Sequence, residues 1–90
     1  MWTILENKEA TKVLDKLPPN VLEKYEFWCS VVRMSGPAGL RHIKGFRDEK
    51  LQGKLQGLRS SRLSLQWRVV YRVNAPSFAV LVDKVTPHKY

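Results

Sequence analysis

The chain has 90 residues, with 16 Lys and Arg against 8 Asp and Glu, for a formal net charge of +8 at neutral pH. That length leaves room for one small core, expected as a single domain over residues 1–90 that buries about 60–65% of its unfolded surface, and a hydrophobic content of 43% excludes a disordered tail. The charge is uneven: residues 1–40 hold five basic and five acidic side chains and residues 41–90 hold eleven and three. This points to a polyanion or an acidic partner and disfavours small cationic or apolar ligands.

Trp2-Thr3-Ile4-Leu5 reads as a short strand from its β-branched and aromatic content. Asn7 can cap a helix over about residues 8–17, where Ala10, Val13, Leu14 and Leu17 form one apolar stripe before Pro18-Pro19 stops it. Asn20 and Glu23 are spaced as a capping box for a second helix. Its apolar side chains, from Val21 to Val32, keep the helical period until Gly36. Cys29 lies in that pattern and reads as core; as the single cysteine it excludes an intramolecular disulfide and a cysteine-based zinc site, and it suits a reducing compartment.

A Ser-Gly-Pro-Ala-Gly loop follows, and residues 40–54 show no clear periodicity. Leu58 to Leu63 and Gln66 to Val73 read as strands, the second with Trp67, Val69, Tyr71 and Val73 alternating against Arg68, Val70 and Arg72. Asn74-Ala75-Pro76-Ser77 is a turn, and Phe78 to Thr86 is the last strand, ended by Pro87. Alternation puts Phe78, Val80 and Val82 on one face and Ala79, Leu81, Asp83 and Val85 on the other. Both faces are apolar, so a central strand is expected. The longest apolar run, Phe78 to Val82, is far short of the about 18 residues a membrane span needs. The N-terminal residues lack a basic, then apolar, leader pattern, so a cytoplasmic location is expected, with no membrane partner.

The order β-α-α-β-β-β argues for an α+β fold: one strand, a two-helix hairpin, then a three-stranded antiparallel meander, with the helices on one face of a curved sheet. The other face is left for function. Arg59, Arg62, Arg68, Arg72 and Lys84 arise from the meander, and parity puts Arg68 and Arg72 on the same side as Val70. Guanidinium forks suit phosphate, although strand arginines equally serve as solvated groups or as partners of Asp48, Glu49 and Asp83. His88 supplies a proton donor or acceptor near pH 7, and Tyr90 a stacking or proton-sharing group, unless both are plain surface residues. His42, beside Arg41 and Lys44, reads as a surface or RNA-contact residue, and Trp67 and Tyr71 read as packing rather than base-stacking groups.

The segment from Glu49 through Gly57-Leu58-Arg59-Ser60-Ser61-Arg62-Leu63, its continuation Trp67-Arg68-Val69-Val70-Tyr71-Arg72-Val73 and the closing Thr86-Pro87-His88-Lys89-Tyr90 resemble the RelE/ParE superfamily of type II toxin–antitoxin toxins. The likeness runs over nearly the whole chain and is nearest the RNA-cleaving RelE, YoeB and HigB types. It implies the RelE-like microbial ribonuclease fold and metal-independent chemistry without a cofactor: attack of a ribose 2′-OH on the adjacent phosphate of mRNA on the 70S ribosome, with an acidic antitoxin as the neutralising partner. The alternative within the superfamily is a non-catalytic, ParE-like inhibitor of DNA gyrase.

Residue by residue, the resemblance puts Glu49 at the family's catalytic glutamate, Arg62 and Arg68 at its phosphate-facing arginines, and His88 and Tyr90 near its terminal His-Tyr pair. Lys50, Lys54, Arg59, Arg72, Lys84 and Lys89 are the further candidates for RNA or phosphate contact, with Lys50, Lys54 or Lys84 able to act as RelE-type lysines. Two departures stand out. Lys89 separates His88 from Tyr90, which are adjacent in YoeB-like toxins, and Glu49 equally suits a simple pairing with Lys50 or Arg62.

Overall fold

A computed structural model describes residues 1–87. Strand β1 (Thr3–Glu6) leads into helix α1 (Lys8–Leu14) and helix α2 (Pro19–Ser35). Short 3-10 turns over Pro37–His42 and Lys44–Phe46 lead to β2 (Glu49–Lys50), and a third, Gly53–Leu55, to β3 (Arg59–Arg62). Strands β4 (Arg68–Asn74) and β5 (Ala79–Thr86) complete the chain, joined through a 3-10 turn at Ala75–Ser77. The five strands form one sheet in the order β1-β5-β4-β3-β2, with β1 parallel to β5 and every other pair antiparallel. The α+β architecture is as expected, and β5 is indeed internal. The meander carries one strand more than expected, the two-residue β2.

Helix α1 is shorter than its stripe suggests, ending at Leu14, yet Leu17 is still buried because Lys16 and Leu17 turn back through backbone bonds to Val13 and Leu14. Asn7 caps α1 by accepting from Ala10 N at 2.8 Å. The expected Asn20–Glu23 box does not form. Helix α2 starts at Pro19, whose fixed φ already suits the first helical position and whose missing N–H costs nothing there. Gly36 ends α2 at φ +75°, and a Cβ there would lie 2.5 Å from Trp2 Nε1. Only glycine fits.

Trp28, Val32, Leu40, Phe46, Tyr71 and Val80 are among the side chains fully enclosed between the helices and one face of the sheet. Trp28 stacks on Tyr25 at 5.8 Å and meets Tyr71 edge-on at 5.3 Å. The expected faces of β5 need one correction. The pairing with β4 jumps from Val82 to Lys84 opposite Tyr71 and Val70, so Asp83 is bulged out and the alternation slips by one. Val80, Val82 and Val85 therefore all enter the core, while Leu81 is exposed and Phe78 precedes the strand in a left-handed conformation. No helix among the described residues is long and apolar enough to cross a membrane.

Candidate functional site

Helix α2 identifies the inner face of the sheet, because Trp28 Nε1 donates to Ser61 Oγ at 2.9 Å. Ser61 pairs with Val69 and Arg59 with Tyr71, so these four share that inner face. The outer face is the complementary set. Arg62 stands directly opposite Arg68, and Arg68 opposite Thr86, giving one row across β3, β4 and β5. The next row runs Glu49, Ser60, Val70 and Lys84 across four strands. Arg72 and Leu81 form a third, with Leu5 beyond them on β1.

Glu49, Arg62, Arg68 and Lys84 are thus gathered on one face although 35 residues of chain separate the first from the last. Neighbouring strands are about 4.8 Å apart and the two rows about 7 Å apart, distances that long side chains bridge. Arg62 and Arg68 are half-buried, whereas Glu49 and Lys84 are exposed. Arg68 Nη1 donates to Gln66 O at 3.0 Å, which restrains its guanidinium at the start of β4. Arg72 lies on the same face but reaches sideways, its Nη1 3.1 Å from where a Gly57 Cβ would stand.

Other candidates sit elsewhere. Lys50 belongs to the edge strand β2, opposite Arg59, and Lys54 to the exposed 3-10 turn beyond it. Lys50 and Arg59 help line a cleft of about 370 Å³ at that edge. His88, Lys89 and Tyr90 lie outside the described residues. Among the described residues no three His, Cys, Asp or Glu side chains converge as metal donors.

Arg59 is turned away from the outer face. Its Nε and Nη2 donate to Asp48 Oδ1 at 2.9 and 2.6 Å, and the Asp48 side chain is fully buried. Ser61 Oγ donates to Asp48 Oδ2 at 2.6 Å, and the Tyr71 hydroxyl donates to the same oxygen. Burial pulls the Arg59 guanidinium down, but its bonds to Asp48 and Tyr71 outweigh that and leave its pKa raised. Burial first, and then the bond to Asp48, push the Tyr71 hydroxyl well above the usual phenol range. The sequence offers Asp48 as one partner for a strand arginine but not its burial or its bonds to Ser61 and Tyr71. Asp48 is one acid in a segment without periodicity, and its partners arrive from positions 59, 61 and 71.

No protein-family model and no curated protein sequence matches the chain. Solved structures do. A YoeB/ParE toxin from Agrobacterium tumefaciens superposes with a TM-score of 0.79 at 20% identity, covering 97% of this chain and 99% of its own. The archaeal RelE of the RelE–RelB complex from Pyrococcus horikoshii gives 0.75 at 24% identity, over 96% and 93%. The heterotetrameric YoeB–YefM toxin–antitoxin complex from Staphylococcus aureus gives 0.75 at 17% identity, over 100% and 99%. With near-complete coverage of both partners and the same α+β architecture, the chain has the fold of the RelE/ParE superfamily of toxins.

Proposed function

We propose that this protein is the toxin of a type II toxin–antitoxin module and acts as a metal-independent endoribonuclease on mRNA held by the ribosome. The observation that carries the reading is the Arg62–Arg68 pair, two arginines directly opposite each other on neighbouring strands, on the sheet face away from the helices, with Glu49 and Lys84 in the adjacent row. Two forks so placed suit the two non-bridging oxygens of a phosphodiester and the charge that grows on them. His88 follows Thr86, the cross-strand partner of Arg68, by two residues in the sequence.

The ribose 2′ oxygen attacks the adjacent phosphorus as its proton passes to a base, Glu49 or His88. The bond from phosphorus to the 5′ oxygen then breaks, and the other group of that pair protonates the leaving oxygen. The products are a 2′,3′-cyclic phosphate and a free 5′-OH. Arg62 and Arg68 hold the phosphate, Lys84, Arg72 and Lys89 engage its neighbours, and Tyr90 orients or stacks on a base. The net charge of +8 suits rRNA phosphate and an acidic antitoxin alike, and the RelE and YoeB structures of the same fold are complexes with RelB and YefM.

Purified protein added to ribosomes programmed with mRNA is expected to create new 5′ ends. Arg68→Ala and His88→Ala should each slow this by about 10²–10⁴-fold while the domain stays folded. Intact message, together with trapped gyrase–DNA complexes, would overturn the nuclease reading in favour of gyrase inhibition.

A further inference from the structure

Strand β2 is too short to hold itself. Glu49 and Lys50 pair only with Ser60 and Arg59, on the outermost edge of the sheet. Buried Leu51 holds its far end, donating its N–H to Leu58 O at 2.9 Å, and the residue before it supplies the side-chain anchor. The Asp48 carboxylate takes four hydrogen bonds, two from Arg59 and one each from Ser61 and Tyr71, so it is pinned to β3 and β4 at once. Ser61 Oγ also accepts from Trp28 Nε1, which ties the same cluster to α2.

Stability alone is a poor reason for this arrangement, because a buried ion pair often gives no more than apolar packing of equal volume. Its geometric consequence is specific. Along extended chain consecutive side chains point to opposite faces, so a carboxylate drawn inward at position 48 turns position 49 outward. Glu49 accordingly pairs with Ser60 in the outer-face row beside Arg62 and Arg68.

We propose that Asp48 is a positioning residue for Glu49: the buried carboxylate, held by Arg59, Ser61 and Tyr71, anchors β2 so that Glu49 faces the Arg62–Arg68 pair. This rests on the nuclease reading for its catalytic meaning and on backbone geometry alone for its structural one. Asp48→Asn keeps the shape but replaces one acceptor oxygen with a donor facing donors.

The test combines Asp48→Asn and Glu49→Gln in a double-mutant cycle on ribosome-bound mRNA, at saturating and limiting substrate. Glu49→Gln is expected to slow cleavage about 100-fold, as loss of a general acid or base does. Asp48→Asn should slow it at least tenfold with half-saturation unchanged, and the double variant should be within twofold of Glu49→Gln alone. Independent losses that multiply, or a wild-type rate in Asp48→Asn, overturn the proposal. Should Asp48→Asn fail to fold, Ser61→Ala removes one donor and leaves the carboxylate, with the same pattern expected at smaller size. Amide hydrogen exchange reads the positioning without catalysis: Leu51 N–H donates to Leu58 O, so by antiparallel alternation the Glu49 and Leu51 amides face β3, and in either variant these two should exchange at least tenfold faster while β4 and β5 keep their protection. Unchanged exchange at these two residues overturns the positioning even if RNA is cut, and a wild-type protein that cuts no RNA removes the nuclease reading while leaving the exchange result to decide this one.

Discussion

Asn7 and Asp83 are joined across 76 residues by one hydrogen bond, from the Asn7 side-chain amide to the Asp83 carbonyl at 2.7 Å. The same side chain accepts from Ala10 N, so it caps α1 with its oxygen and satisfies the bulge of β5 with its nitrogen. Asn7→Ala removes both bonds and is expected to lower stability by about 1–2 kcal/mol. Asn7→Asp keeps the cap and loses the donor, so it should cost about half as much. Urea titration checks the order, with the slope against denaturant unchanged.

Two glycines with positive φ separate backbone strain from steric conflict. Gly53 has φ +65° and open space around its missing Cβ, so Gly53→Ala should cost about 1 kcal/mol, the price of a left-handed alanine. Gly36 has φ +75° and the Trp2 ring in the way, so Gly36→Ala should cost at least about 2 kcal/mol. In thermal melts that difference is several degrees for a domain of this size.

Arg59 and Arg68 should fail differently. Arg59→Ala strands the fully buried Asp48 carboxylate and is expected to cost about 3 kcal/mol of stability. Arg62→Ala and Arg68→Ala should leave stability within about 1 kcal/mol. On a 2′-O-methyl oligonucleotide, which cannot be cut, the double variant should lower the slope of log affinity against log salt by about 0.7, the share of the one single-strand phosphate that both hold.

Burial pushes the Cys29 thiol from 9.0 up to about 11. The fold therefore favours the neutral thiol, and the unfolded chain loses its proton first. The stability this contributes is complete below about pH 9 and is lost as pH rises through about 11. The difference in unfolding midpoint between the wild type and Cys29→Ala, which loses a buried sulfur, should be constant below pH 8, and the wild-type decline should be steeper than the variant's between pH 9 and 11. Iodoacetamide should leave the native thiol unmodified at pH 7.5, since it is both buried and protonated.

Much of this fold was legible in the residues. The apolar stripe from Val21 to Val32 gave α2, and parity alone put Arg68, Val70 and Arg72 on one face. The bulge at Asp83 was not legible, because Leu81 and Val82 make either face of β5 a plausible core face. Nor did parity set Arg62 opposite Arg68. That register comes from the tight turn between them, where Leu63 N bonds to Trp67 O at 2.8 Å and Ser64 Oγ accepts from Trp67 N at 3.1 Å. A serine opening a short polar link was the available signal. Strand β2 was hidden for a different reason: two residues carry no alternation, and a buried acid at position 48 has no local mark.

The sheet order has a kinetic consequence. β3, β4 and β5 follow one another in sequence and can zip as adjacent hairpins, but β1 reaches its partner β5 only after nearly the whole chain has been looped back. Closing so long a loop yields its reward late, so β1 is expected to dock after the meander has formed, on the slower side of the range for mixed domains. Substitutions at Ile4 should then speed unfolding and barely touch the folding rate, while those at Val69 should do the reverse.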